Sequence, residues 1–191
     1  MAKALKVLVV NSSGRKDSNS SVLGNEVAEG AKAAGHKVEV VDIGRMDIKP
    51  CKGCEACLAP GSKGCIVKDD MQPLYPKVKE ADVVIFSAPI YWFNMCGQIK
   101  QFIDRLFAIA VTHEEGAPNP FAKKKLGSVF VYGDTDPFNS GCVNAIRSIQ
   151  DICNYTGAAW AGPLYGSAYD AGEVLKNTEL LSAARNYGLG L

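Results

Sequence analysis

Histidine is nearly missing: the 191-residue chain has two, His36 and His113, too few for a histidine-built metal site. An excess of either charge is missing as well. The chain has 21 basic and 20 acidic residues, a net charge of +1. No long-range field draws it to nucleic acid or an anionic membrane, so recognition rests on local sites. No apolar run approaches the ~20 residues of a membrane span. The N-terminus, Met1-Ala2-Lys3-Ala4-Leu5-Lys6, runs straight into a hydrophobic strand. It lacks the apolar core and small-residue cleavage site of a secretory leader, which predicts a cytoplasmic chain. Both glycine-rich nucleotide signatures, G-x-x-x-x-G-K-[ST] and G-x-G-x-x-G, are absent too, and no internal repeat or low-complexity tract is visible.

What is present is an ordinary globular composition, 47% hydrophobic and 21% charged, of a length that suits one domain over residues 1–191. Five β-branched runs stand out: Leu5–Val10, Lys37–Ile43, Asp82–Ala88, Leu126–Tyr132 and Ala159–Ser167. The first, third and fourth are almost continuously apolar, as strands buried on both faces are. Helical periodicity alternates with them. Ser20–Ala34 and Gln98–Ala108 carry apolar stripes, the second through Ile99, Phe102, Ile103, Leu106 and Phe107. Shorter patterns surround Met71–Val78, Ile146–Cys153 and Val174–Ala184. Such alternation means parallel pairing with right-handed crossovers. The predicted fold is α/β, a doubly wound five-stranded parallel sheet of order 2-1-3-4-5. Two connections are long: Gly44–Lys68, a Cys-rich loop, and Val111–Lys124. Long loops in compact domains serve function or interfaces.

In such a sheet a ligand binds where the strand order reverses, beyond the carboxyl ends of the first and third strands. The loop after the first strand reads Asn11-Ser12-Ser13-Gly14-Arg15-Lys16-Asp17-Ser18-Asn19-Ser20-Ser21. It opens a helix whose unpaired N–H groups and positive dipole end favour a phosphate. Hydroxyls, Asn19 and Arg15 add donors, although the same residues also make a plain capped turn. After the third strand comes Pro89-Ile90-Tyr91-Trp92-Phe93-Asn94. Three successive aromatics cannot all face one core, so at least one is presented beside the phosphate loop. A phosphorylated, flat, redox-type ligand suits the pair. Gly133 and Asp134, at the end of the fourth strand, are a third candidate border: glycine permits close backbone approach. The acidic residues that a phospho-receiver domain needs in these loops are not there.

These residues carry a resemblance. The chain resembles the NADPH-dependent FMN reductase branch of the flavodoxin-like proteins, and within it the iron-sulfur flavoproteins. The resemblance rests on the Asn-Ser-Ser-Gly-Arg-Lys…Asn-Ser loop, Cys-x-Gly-Cys…Cys, Lys68-Asp69-Asp70-Met71, Ala88-Pro89-Ile90-Tyr91-Trp92 and Lys100…Asp104-Arg105. It implies that Ser13, Arg15, Ser18, Asn19 and Ser20 hold the phosphate of FMN. Pro89, Ile90, Tyr91, Trp92, Phe93 and Asn94 then line the flavin ring, with Gly133 and Asp134 bordering it. It further implies NAD(P)H as co-substrate, a redox partner such as a ferredoxin, and a homodimer or homotetramer to which Val111–Lys124 and the Cys-rich loop contribute. Ser12 stands where the family has glycine and Gly14 where it has proline. No catalytic side chain is expected, because hydride transfer to a flavin needs no dedicated protein acid or base.

Four of the seven cysteines form Cys51-x2-Cys54-x2-Cys57-x7-Cys65. Four thiolates at such spacing can surround a tetrahedral zinc or a cubane cluster, or stay free. Gly53, Gly61 and Gly64 allow the loop to fold tightly. The last gap exceeds that of bacterial ferredoxins. Likeness to the iron-sulfur flavoproteins implies a [4Fe-4S] cluster.

Overall fold

A computed structural model describes residues 3–110 and 119–191. The strands are β1 (Lys6–Asn11), β2 (Lys37–Asp42), β3 (Val83–Tyr91), β4 (Asn94–Met95), β5 (Lys125–Tyr132) and β6 (Ala159–Ser167). The helices are α1 (Asn19–Ala33), α2 (Leu74–Glu80), α3 (Gly97–Ala110), α4 (Cys142–Thr156) and α5 (Thr178–Leu189). The parallel strands lie in the order β2-β1-β3-β5-β6, and β4 pairs antiparallel with the end of β3.

The flavodoxin-like parallel sheet is as expected; the strand count is not. β3 runs past Ala88 to Tyr91, and the two-residue β4 folds back on it, so the order 2-1-3-4-5 becomes 2-1-3-5-6. A two-residue strand has no periodicity to read.

Alternation along the strands divides the core in two. Val7 and Val9 of β1 and Val83 and Ile85 of β3 pack with Leu23, Val27 and Ala31 of α1 and Ala184 of α5. Their neighbours Leu8, Val10, Val84 and Phe86 pack with residues of α2, α3 and α4, among them Val78, Ile99, Phe102 and Ile149. Successive side chains of a strand leave opposite faces, so a strand covered on both sides must be apolar throughout. Pro73 caps α2, and Pro76 sits in its first turn, where a missing N–H breaks no intrahelical bond.

On one face α1 and α5 cross with their backbones in contact. A Cβ on Gly30 would collide with the Arg185 carbonyl, and one on Gly188 with the Val27 carbonyl. Gly188→Ala is therefore expected to lower stability by about 1–3 kcal/mol through overpacking. Gly190→Ala, where the nearest atom would be 3.6 Å away, should change it by less than about 0.5 kcal/mol. Urea unfolding of the two variants checks the contrast.

Candidate functional site

β1 has β2 on one side and β3 on the other, so the loops after β1 and β3 separate at their carboxyl ends. Between them lies a cleft of about 270 Å³. Ser13, Arg15, Ser18, Asn19 and Ser20 form one wall, and Pro89, Ile90 and Tyr91 another. Gly133 closes it from the end of β5.

The start of α1 is prepared for an anion. Ser18 is the N-cap residue, yet its side chain makes no cap hydrogen bond. Its Oγ lies instead 3.0 Å from Ser20 Oγ. Both serines are buried, and the first turn carries no acidic residue. The unpaired N–H groups and the positive end of the helix therefore face the cleft without a carboxylate of that turn to satisfy them.

Asn19 is already engaged. Its Nδ2 donates to the Asp170 carbonyl at 2.7 Å, and its Oδ1 accepts the Val174 N–H at 3.2 Å. It thereby ties the loop between β6 and α5 to α1. Arg15 reaches the same loop, with Nη1 3.4 Å from the Tyr169 carbonyl. Ala168, Tyr169 and Ala171 of that loop line the cleft, together with Val131 and Tyr132. Apart from Tyr132, which adjoins Gly133 in the third candidate segment, none of these is singled out by the sequence reading. The available signal was an aromatic just past the last strand, on the same edge of the sheet as the phosphate loop. A Cβ on Gly133 would meet the Tyr169 ring at 2.7 Å, so the missing side chain lets that ring close on the end of β5.

Trp92, Phe93 and Asn94 do not line the cleft. They continue outward from Tyr91 as the turn and return strand of the β3–β4 hairpin. Trp92 and Phe93 have φ of 47° and 67°. Positive values at both turn positions are usual for Asn-Gly and cost non-glycine residues about 1–3 kcal/mol each. The start of α4 holds the turn: Asn144 Nδ2 donates to the Phe93 carbonyl at 3.1 Å. Trp92 stands 92% exposed. Asp134 is also off the cleft and acts as a turn residue, its Oδ1 accepting the Thr135 N–H at 2.6 Å.

The four clustered cysteines meet at a second place. Cys51, Cys54, Cys57 and Cys65 line one pocket of about 240 Å³, against Arg105, Phe107 and Ala108 of α3. Gly53, Gly61 and Gly64 have φ of 61°, 74° and 108°, so the tight path of the loop does use their freedom. Among the described residues, no group of three or more His, Cys, Asp or Glu side chains is placed to hold a metal ion. Burial pushes the Cys57 thiol up, and the nearby Cys65, Cys51 and Cys54 add to it against the pull of its own backbone N–H. Burial also opposes ionisation of Cys65. The Val67 N–H, the Tyr75 hydroxyl and the Arg105 guanidinium outweigh it, and its pKa falls.

A buried ion pair closes the neck of this loop. Asp69 and Arg105 side chains are both 0% exposed, with Oδ2 and Nη1 2.5 Å apart. Arg105 Nη1 also donates to the Lys49 carbonyl at 2.8 Å, and Nη2 donates to the Val67 carbonyl at 3.4 Å and to Asp69 Oδ1 at 3.2 Å. Asp69 accepts the N–H groups of Lys49 and Met71. Lys49 and Val67 flank the cysteines, so one pair holds both ends of the loop. The sequence shows Arg105 and Asp69 only as members of two separate motifs of the resemblance; that they pair is hidden, because they lie 36 positions apart.

The geometry can be set beside known proteins. A family model described as NADPH-dependent FMN reductase matches residues 5–161. The chain belongs to that family. An iron-sulfur flavoprotein of Methanosarcina thermophila is 30% identical over 158 residues, 83% of this chain and 78% of that one. One from Archaeoglobus fulgidus is 39% identical over 102 residues, 53% of this chain and 48% of that one. The chain thus spans about half the length of several curated relatives it matches. Among solved structures, an NAD(P)H:quinone oxidoreductase from Methanothermobacter marburgensis superposes with a TM-score of 0.76. At 19% identity, covering 98% of this chain and 97% of that one, it speaks for the fold of this member of the FMN reductase family.

The loop neck has a defined acid response. Burial raises the Asp69 pKa, but Arg105 and the Lys49 and Met71 N–H groups overcome it, and the net shift is downward. A depressed carboxylate stabilises the fold fully above its unfolded value of about 3.9 and loses that contribution as pH falls through the folded value. Asp69→Asn leaves Arg105 buried without its counter-charge and should cost about 3–5 kcal/mol at neutral pH. Urea unfolding should show less acid sensitivity below about pH 4 in the variant than in the wild type.

Proposed function

We propose that this chain is an FMN-dependent oxidoreductase. It accepts electrons from NAD(P)H or a reduced carrier such as a ferredoxin and passes them on, with a [4Fe-4S] cluster on Cys51, Cys54, Cys57 and Cys65. The observation that carries the reading is the uncapped start of α1 facing a cleft at the strand-order reversal. Buried hydroxyls of Ser18 and Ser20 and the Arg15 guanidinium surround it. That is the donor set for a terminal phosphate.

At about 270 Å³, the cleft is smaller than the ~300–1,000 Å³ of pockets that enclose a whole ligand. It suits the phosphate and sugar chain of FMN. The ring then extends along Pro89–Tyr91 toward the hairpin of Trp92, Phe93 and Asn94, with Gly133 and Asp134 on the other side. FMN supplies hydride and electron exchange; the protein's part is binding, orientation and exclusion of water. Ser13, Ser18 and Ser20 bind the phosphate, and Asn19 keeps the Tyr169 loop in place over it. The backbone of Pro89–Tyr91 sets the ring's edge.

The cysteine pocket fits a cluster through its chemistry. Four cysteines of one loop line it, and the Arg105 cation lies against it. In a cubane each thiolate binds its own iron. Assembly as a homodimer or homotetramer is supported by exposed aromatics: Trp92 at 92%, Phe138 at 74% and Tyr169 at 74%. Of the loop Val111–Lys124, assigned to subunit contact, residues 111–118 lie outside the described residues.

Titration of flavin-free protein tests the phosphate reading. FMN should bind at least about tenfold more tightly than riboflavin, which lacks the phosphate, a difference of about 1.4 kcal/mol. Replacing both Ser18 and Ser20 by alanine should erase most of that difference. Equal affinity for the two flavins would remove the phosphate site. Reduced nicotinamide added to the FMN-loaded protein should bleach the flavin; no bleaching with NADH or NADPH would leave a flavodoxin-type carrier without turnover, its cysteines free or on zinc.

A further inference from the structure

Arg105 has one donor that its structural role does not use. A guanidinium carries five N–H groups. Four are taken at the loop neck: Nη1 donates to the Lys49 carbonyl and Asp69 Oδ2, and Nη2 to the Val67 carbonyl and Asp69 Oδ1. The fifth, on Nε, is buried with no hydrogen-bond partner. The residue is 1% exposed, so bulk solvent does not reach it. Buried polar groups are nearly always paired, and an orphan calls for a reason.

The surroundings supply it. Arg105 is part of the wall of the pocket that the four cysteines line, and its guanidinium lies beside the Cys65 thiol. The other charged side chains of that pocket are Lys52, Glu55 and Asp104. A cluster ligated by four thiolates is an anion, and hydrogen bonds to its sulfurs are among the factors that set its reduction potential. We propose that Arg105 donates its Nε–H to the sulfur at the Cys65 corner of the bound cluster and raises its reduction potential. This rests on the cluster reading of the four cysteines. One side chain thus has two roles: its two terminal nitrogens fix the ends of the ligand loop, and its inner nitrogen is left free for what the loop holds. Asp69 balances the charge while leaving the Nε–H dipole free to act.

The test uses the full chain, isolated and handled without oxygen, with iron and sulfide quantified first. Arg105→Lys keeps the cation beside Asp69 and removes the Nε–H. With its iron content unchanged, this variant should show a cluster potential lower by about 59 mV, a tenfold shift in a one-electron equilibrium. The second measurement needs no variant. The native chain is grown with ¹⁵N-arginine, and its reduced cluster is examined by pulsed electron paramagnetic resonance. A ¹⁵N coupling is expected, because Arg105 is the one arginine lining that pocket among the described residues. Should Arg105→Lys fail to fold or to hold iron, the ¹⁵N result on the native chain decides. A loaded native chain without the coupling, or a loaded variant with unchanged potential, overturns the Arg105 assignment alone. A native chain that retains no iron overturns the cluster reading itself.

Discussion

Asp69 and Arg105 meet where neither has any contact with solvent, and the long loop between β2 and α2 depends on that pair. Two desolvated charges are held only when geometry and further hydrogen bonds offset what burial costs them. Here the further bonds run to the Lys49 and Val67 carbonyls and from the Lys49 and Met71 N–H groups. Gln72 adds two more, to the Cys65 and Val67 carbonyls. A stretch with little regular structure of its own is thereby docked on α3. The four cysteines line a pocket against the helix, Cys57 and Cys65 half-buried and Cys51 and Cys54 exposed.

The sheet does for the other site what the ion pair does for this one. Because β2 and β3 flank β1, the chain leaves the ends of β1 and β3 in different directions, and a cleft is unavoidable there. What the cleft can hold depends on small local decisions. The Ser18 side chain makes no cap hydrogen bond, Gly133 lets Tyr169 close in, and Asn19 anchors the loop that carries Tyr169. Membership in the NADPH-dependent FMN reductase family supports FMN as the ligand, and the donors of the cleft suit its phosphate.

Much of this was legible in the sequence, for identifiable reasons. Strands buried on both faces are apolar throughout, so Val7–Val10 and Val83–Phe86 announced themselves, and strand-helix alternation gave the parallel order. That order placed the cleft before any motif was weighed. Interactions between distant positions were not legible. Asp69 and Arg105 each stand in a motif of the family resemblance, but at 36 positions apart nothing local shows that they pair. That Asn19, a phosphate candidate in the sequence, also bonds Asp170 and Val174 is hidden because those partners lie far along the chain. The hairpin after β3 hid for another reason: two bulky aromatics at positive φ run against turn chemistry, and such departures gather at functional sites.

The claim at the centre of this account is that one chain holds both a flavin and an iron-sulfur cluster, each on its own loop system. Quantifying flavin, iron and acid-labile sulfide in protein purified without oxygen tests it most directly. The account predicts about one FMN, four iron and four sulfide per chain. Flavin-free protein that takes up no added FMN, or flavin-loaded protein with iron near zero, would contradict it.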